Sequence, residues 1–449
     1  IPNTNGPHVS DPRSGEILES DINWYHNVMT LLRNWFFVQT AAINEEARGV
    51  SFKDEVMGRL IQFVSAHEVG HTLGLPHNMG SSSAYPVDSL RSATFTKKFG
   101  TAPSIMDYAR FNYIAQPEDK GVALMPNVGV YDKHAIKWGY RPILSAEKAE
   151  DEKPVLDKWI LDNQNSLLHR FGSAGIDPSS QTEDLGDDAV KASEYGIKNL
   201  KRIIPNLIDW TSEDGKDYAD LNTMYGQVLS QFNRYMGHVS ANIGGVYQYY
   251  KTYDQSGAVY THVNKSHQKN SMNFLQKQLF ETPTWMIDNN ILNKIEFAGI
   301  TNRIRSTQSR TLNSILDFGK MARLIENEAI NGNNAYSLLD MMSDLKEGIW
   351  KELYTNKTID VYRRNLQLAY LDRISYIMNE EQGSIPSRAR GRVTSVKVSQ
   401  SDIRTIAVGQ LIELKKDIKK HKNRSDKMTL MHLDMATAKI NKILVGKPI

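Results

Sequence analysis

The 449-residue chain contains no cysteine. Disulfides, thiolate metal sites and cysteine nucleophiles are excluded together, so any metal must be held by His, Asp or Glu. No apolar stretch approaches the roughly 18 residues that a membrane-spanning helix needs. The opening, IPNTNGPHVSDPRSGEI, lacks the basic and apolar regions of an export signal. Net charge is also nearly missing: +3 over the whole chain sets up no field toward nucleic acid or an anionic membrane. Two local basic stretches, SRARGRV (387–393) and KKDIKKHKNR (415–424), have no interleaved aromatics and read as a loop and a solvated helix face.

What remains is the composition of an ordinary globular protein, 40% hydrophobic and 23% charged, long enough for two or three cores. Turn residues Asp11, Pro12, Ser14 and Gly15 predict a hairpin near the start, with a strand over Glu16 to Asp21. Apolar residues at 24, 28, 31, 35, 38 and 42 predict a helix ending before Gly49. A second helix is expected from about 51–54, with Val56, Leu60, Val64, His67 and His71 on one stripe. Residues 80–140 are rich in Ser, Pro and Asn and read as irregular structure with short helices, suited to a cleft wall. Beyond about 142 helical periodicity dominates, over 187–204, 216–238, 266–280, 299–331, 336–380, 399–421 and 426–444. The exception is a hairpin near 244–263. The expected fold is thus helix-dominated α+β, with a catalytic region at 1–142 and a mainly α-helical domain at 143–449.

The chemistry concentrates in SAHEVGHTLGLPHNMG, residues 65–80. Residues four apart on a helix stand one above the other, so His67 and His71 can offer nitrogens to one ion. Glu68 lies beside them, placed to hold a water without coordinating. Gly74 can take the left-handed conformation that ends a helix, letting the chain turn so that His77 supplies a third ligand. Three imidazoles with one exchangeable position suit catalytic zinc, whereas calcium or magnesium prefers oxygen donors. Histidines satisfied within a core are the alternative. His26, His134, His169, His238, His262 and His267 have no partners at ligand spacing and read as structural.

HEVGHTLGLPH resembles the signature of the metzincin clan of zinc metallopeptidases, and SIMDYARF, with Met106 29 residues after His77, resembles the methionine turn of that clan. The resemblance covers about residues 9–140. It implies Met106 as an apolar floor under the ligands and Tyr108 as a phenol that stabilises an oxyanion. It further implies a zinc-dependent endopeptidase with Glu68 as general base and acid, acting on protein or peptide substrates. Its layout is most similar to large bacterial zinc metalloproteases, which implies an exported, extracytoplasmic protein. Only 66 residues precede His67, so the resemblance also implies strands, a propeptide and a signal upstream of residue 1. The strand at Glu16 to Asp21 is a candidate edge for pairing with a peptide.

Two further signals stay open. IDPSSQTEDLGDD (176–188) gathers Asp177, Glu183, Asp184, Asp187 and Asp188, enough oxygen for Ca2+, although acids before a helix also serve as caps. The aromatic VYQYYKTY could stack on glycans or peptides, or simply form strands. The competing functional class is a binding or scaffold protein, with structural zinc or vestigial activity, whose helical domain engages a partner or glycan.

Overall fold

A computed structural model describes residues 4–383, 396–421 and 426–446. The basic stretch 387–393 and residues 422–424 of the second one lie outside them. The chain divides into two compact units, one of residues 1–235 with 248–261, the other of residues 236–247 with 262–449.

The first unit opens with short antiparallel pairs. Strand β1 (Thr4–Asn5) pairs with β4 (Asn23–Trp24), and β2 (His8–Ser10) with β3 (Ile17–Ser20). The expected hairpin turn is present: Asp11 N donates to Glu16 O, and Gly15 takes φ 76°. Helix α1 (Val28–Thr40) is shorter at both ends than its apolar pattern, and α2 (Asp54–Thr72) carries the histidine motif. Leu32, Phe36 and Phe37 of α1 and Val56 and Leu60 of α2 are buried, with Phe36 packing edge-on to Phe111 at 4.9 Å. Gln39 of α1 accepts from Phe111 N at 3.0 Å, so the helix fixes a loop as well as a core.

Residues 80–140 are largely irregular, holding α3 (Ala93–Phe99) and α4 (Val130–Tyr140). Helix α5 (Ala149–Asp162) was not legible: it buries no residue and contains Pro154, so neither apolar periodicity nor composition marked it. Helix α6 (Ala189–Ile203) follows, capped by the Asp188 side chain, which accepts from Val190 and Lys191 N. After α7 (Leu207–Thr211), α8 (Ala219–Ala241) spans most of the helix expected at 216–238. The aromatic hairpin forms as β5 (Val246–Gln248) and β6 (Tyr260–His262).

The change of sequence character near 142 does not coincide with the division of packing. Residues 143–235 pack in the first unit because their polar groups complete its interior. Asn199 Nδ2 donates to the carbonyls of Tyr113 and Ala115, and Asn78 exchanges hydrogen bonds with Arg170 O and Gly172 N.

The second unit is helical: α9 (Lys265–Leu275), α10 (Asn289–Ile295), α11 (Ile300–Ile315), α12 (Phe318–Asn331), α13 (Leu338–Ile349), α14 (Lys351–Thr355), α15 (Val361–Asn379), α16 (Asp402–His421) and α17 (Lys427–Val445). The two longest expected helices are interrupted. Asp317 caps α12 through Lys320 N, Asn356 turns left-handed at φ 55°, and Asp360 caps α15 through Arg363 N. Apolar periodicity persists across such caps, which is why the pattern read as continuous.

Candidate metal centre

Helix α2 ends where the sequence places its stop. Gly74 adopts φ 84°, its N–H donates to His71 O, and Leu75 N donates to Gly70 O. These are the two bonds of a Schellman turn, and they reverse the chain so that His77 returns beside the helix. His67, His71 and His77 each present one nitrogen, and all three lie within 4.8 Å of one another. Among the described residues this is the one cluster of three or more such side chains.

Each ring on α2 is oriented by a backbone carbonyl. His67 Nδ1 donates to Ile105 O at 2.7 Å and His71 Nδ1 to Leu75 O at 2.9 Å, which leaves both Nε2 atoms as lone pairs. Nε2 of His67 is buried with no protein partner. Nε2 of His71 faces Nε2 of His77 at 3.0 Å. An orphaned buried nitrogen beside two facing ones fits a shared cation. Burial, then the neighbouring imidazoles and Arg110, lowers His67 to about 3; burial, then His71 and Arg110, lowers His77 to about 4. Both are therefore neutral at pH 7, as ligands must be.

Glu68 is buried, its Oε2 meets no protein donor, and burial raises its pKa. The Tyr108 ring lies 4.3 Å from that of His77 and 5.2 Å from that of His67. Burial raises the phenol's pKa, so it stays a donor at neutral pH. Met106 is fully buried beneath α2, where a β-carbon on Gly70 would lie 2.2 Å from its Sδ. Gly6, after β1, also packs against α2, its ideal Cβ position 2.6 Å from Glu68 O. The stretch at Gly6 thus rests on α2, and the Ile17 side chain of β3 lies 3.6 Å from the Cβ position of Gly74 at the helix end.

Several residues at the site were not anticipated. Asp132 of α4 is buried and accepts from Gly129 N, Ile105 N and the Ser104 hydroxyl, so it pins the loop whose Ile105 carbonyl orients His67. An acid three residues after a helix-opening glycine was the available signal. Arg110, left-handed at φ 56°, lies 4.5 Å from the Tyr108 ring and 3.8 Å from Trp35, and pairs with Glu183 at 3.6 Å. No sequence pattern links positions 110 and 183. His134 and His169 meet edge-on at 4.9 Å, which their separation in sequence concealed.

The five acids of 176–188 do not converge as one cage. Asp177 pairs with Arg170, Glu183 with Arg110 and Arg234, Asp187 accepts from Val87 N, and Asp188 caps α6. Asp184 alone has no such partner among the described residues.

A helix-borne histidine pair, a third histidine beyond a glycine turn and a buried methionine against the helix are the features that the metzincin resemblance implies. Residues 49–357 match the family model described as Met-zincin, and the chain belongs to that family. The match extends well past residue 142 into the helical sequence. No curated protein and no solved structure matches the chain.

Proposed function

We propose that this chain is a zinc-dependent endopeptidase in which His67, His71 and His77 hold the ion and Glu68 and Tyr108 carry the proton and charge movements. The carrying observation is the convergence of three imidazoles next to a buried carboxylate with an unpartnered oxygen. Zinc, when bound, supplies a Lewis acid that polarises the scissile carbonyl and acidifies water toward a pKa of ~7. Glu68 takes the proton of the attacking water and returns it to the leaving amine, a transfer favoured by its raised basicity. Tyr108 donates its phenolic hydrogen to the developing oxyanion, and Arg110 beside the ring adds positive potential. Met106 keeps the underside of the ligands apolar and dry.

A cavity of about 850 Å³ adjoins the turn that leads into His77, lined there by Leu73 to Pro76, and offers a pocket for substrate. Ile17, Leu75, Trp138 and Tyr140 line it, which favours a large apolar side chain. The test is mass spectrometry of a peptide library incubated with zinc-loaded wild type and with Glu68→Gln. We expect cleavage by wild type only, a loss of at least about 1000-fold in the variant, and equal zinc content in both. Zinc retained by a wild type that cuts nothing would instead favour a binding protein.

A further inference from the structure

Behind the methionine turn lies a second group of buried oxygens that the proposed hydrolysis does not use. Asp107, between Met106 and Tyr108, is wholly buried; Asp184 is 5% exposed. Their backbones are laced together, because Glu183 N donates to Tyr108 O at 2.8 Å. One oxygen of Asp107, Oδ2, accepts from Ser82 N at 2.7 Å and the Ser81 hydroxyl at 3.0 Å. The other, Oδ1, has no partner, and neither has Oδ1 of Asp184.

Neither carboxylate has an ion-pair partner among the described residues, although Asp177 and Glu183 beside them are both paired with arginine. The Ser82 hydroxyl is buried beside the Asp107 carboxyl, within reach of it, and no other protein group meets it. The buried Ser180 hydroxyl nearby is also unpartnered, wedged against Gly80 and Gly172, where a Cβ at either glycine would overlap it. Burial raises both carboxyl pKa values, and the Asp107 charge raises Asp184 further, so the pair lacks a positive charge. Leaving two carboxylate oxygens dry and unsatisfied in the interior would be strongly destabilising.

We propose that Asp107, Asp184 and the Ser82 hydroxyl form a buried site for one calcium ion, which fastens the 177–188 loop to the methionine turn. Two carboxylates cancel the ion's charge, and all three donors are hard oxygens. Calcium accepts irregular coordination by protein oxygens, whereas magnesium demands octahedral geometry and retains several waters, which so buried a site does not accommodate. The ion's place in the molecule is structural: it holds Asp107, and through it the Met106–Tyr108 segment, against the loop that carries Glu183 and its pairing with Arg110.

The test uses the full zinc-loaded chain without chelator, and its readout is independent of cleavage, so it stands apart from the peptidase reading. Terbium luminescence excited through tyrosine should report binding, since the Tyr113 hydroxyl accepts from Leu185 N, one residue from Asp184. We expect one terbium site displaced by calcium, and a calcium-dependent rise in Tm of about 5 °C. Asp184→Asn should weaken binding at least tenfold and abolish the rise. Ser82→Ala, which keeps both carboxylates, should weaken binding severalfold, and it decides the matter if Asp184→Asn does not fold. A wild-type Tm insensitive to calcium would overturn the proposal in favour of a proton shared by the two carboxyls. Stabilisation by magnesium alone, or unchanged calcium binding in Ser82→Ala, would also overturn it.

Discussion

Glycine inside a helix ordinarily costs stability, and its replacement by alanine ordinarily restores about 0.5–1 kcal/mol. Gly70 should reverse that sign, because its Cβ would stand 2.2 Å from Met106 Sδ and both residues are fixed, one on α2 and one in a fully buried turn. Gly70→Ala is expected to lose about 1–3 kcal/mol by overpacking. In a Met106→Ala background the same substitution should become neutral or stabilising. Urea unfolding of wild type, both single variants and the double variant measures the coupling; an undiminished cost of Gly70→Ala without the methionine would show that the thioether is not what requires glycine.

At the scale of elements, α2 was readable because one short segment contains both its chemistry and its stop. The four-residue spacing of His67 and His71 and the glycine at 74 are local facts, and the helix with its Schellman turn follows from them. The elements that hold the site in register were not readable, since their contacts join distant positions. Asp132, on α4, controls the orientation of His67 on α2 only through Ile105, and nothing in the local sequence announces that link. Helices α11 to α15 present only two apolar runs in the sequence, because capping by Asp317 and Asp360 interrupts the backbone without interrupting the apolar stripe. Asp132 offers a test of that distant link. Asp132→Asn places an amide N–H2 against donors that now meet a carboxylate, which should cost about 2 kcal/mol and weaken zinc about tenfold through the freed Ile105 loop. Competition titration with a zinc chelator dye checks this; unchanged affinity at reduced stability would confine Asp132 to capping α4.

At the scale of the whole molecule, each unit has a buried polar network of its own, and the second unit's is far from the histidine motif in sequence. Arg363 there forms an ion pair with Glu352 and donates to the carbonyls of Gly348 and Ile349, while Gln367 Nε2 donates to Ile349 O and to Glu352. His432 of α17 closes the network, its Nε2 donating to Gln367 Oε1 at 2.8 Å, with its ring stacked 6.2 Å from Trp350. Burial, then the charge of Arg364, lowers His432 to about 4, against 6.5 for a free imidazole. The neutral ring is therefore the folded form. Its stabilising contribution is complete above the unfolded pKa of 6.5 and is lost as pH falls toward 4, because the unfolded chain takes up the proton first. Between pH 7 and 5 the second unit should lose about 2 kcal/mol from this one group. His432→Gln, which can still donate to Gln367 but does not titrate, should flatten that part of the pH dependence. Urea unfolding of the full chain, followed by pulse hydrogen exchange in peptides from α15 and α17 at both pH values, measures the difference. An equal loss in wild type and variant would place the acid sensitivity of the second unit elsewhere in its fold.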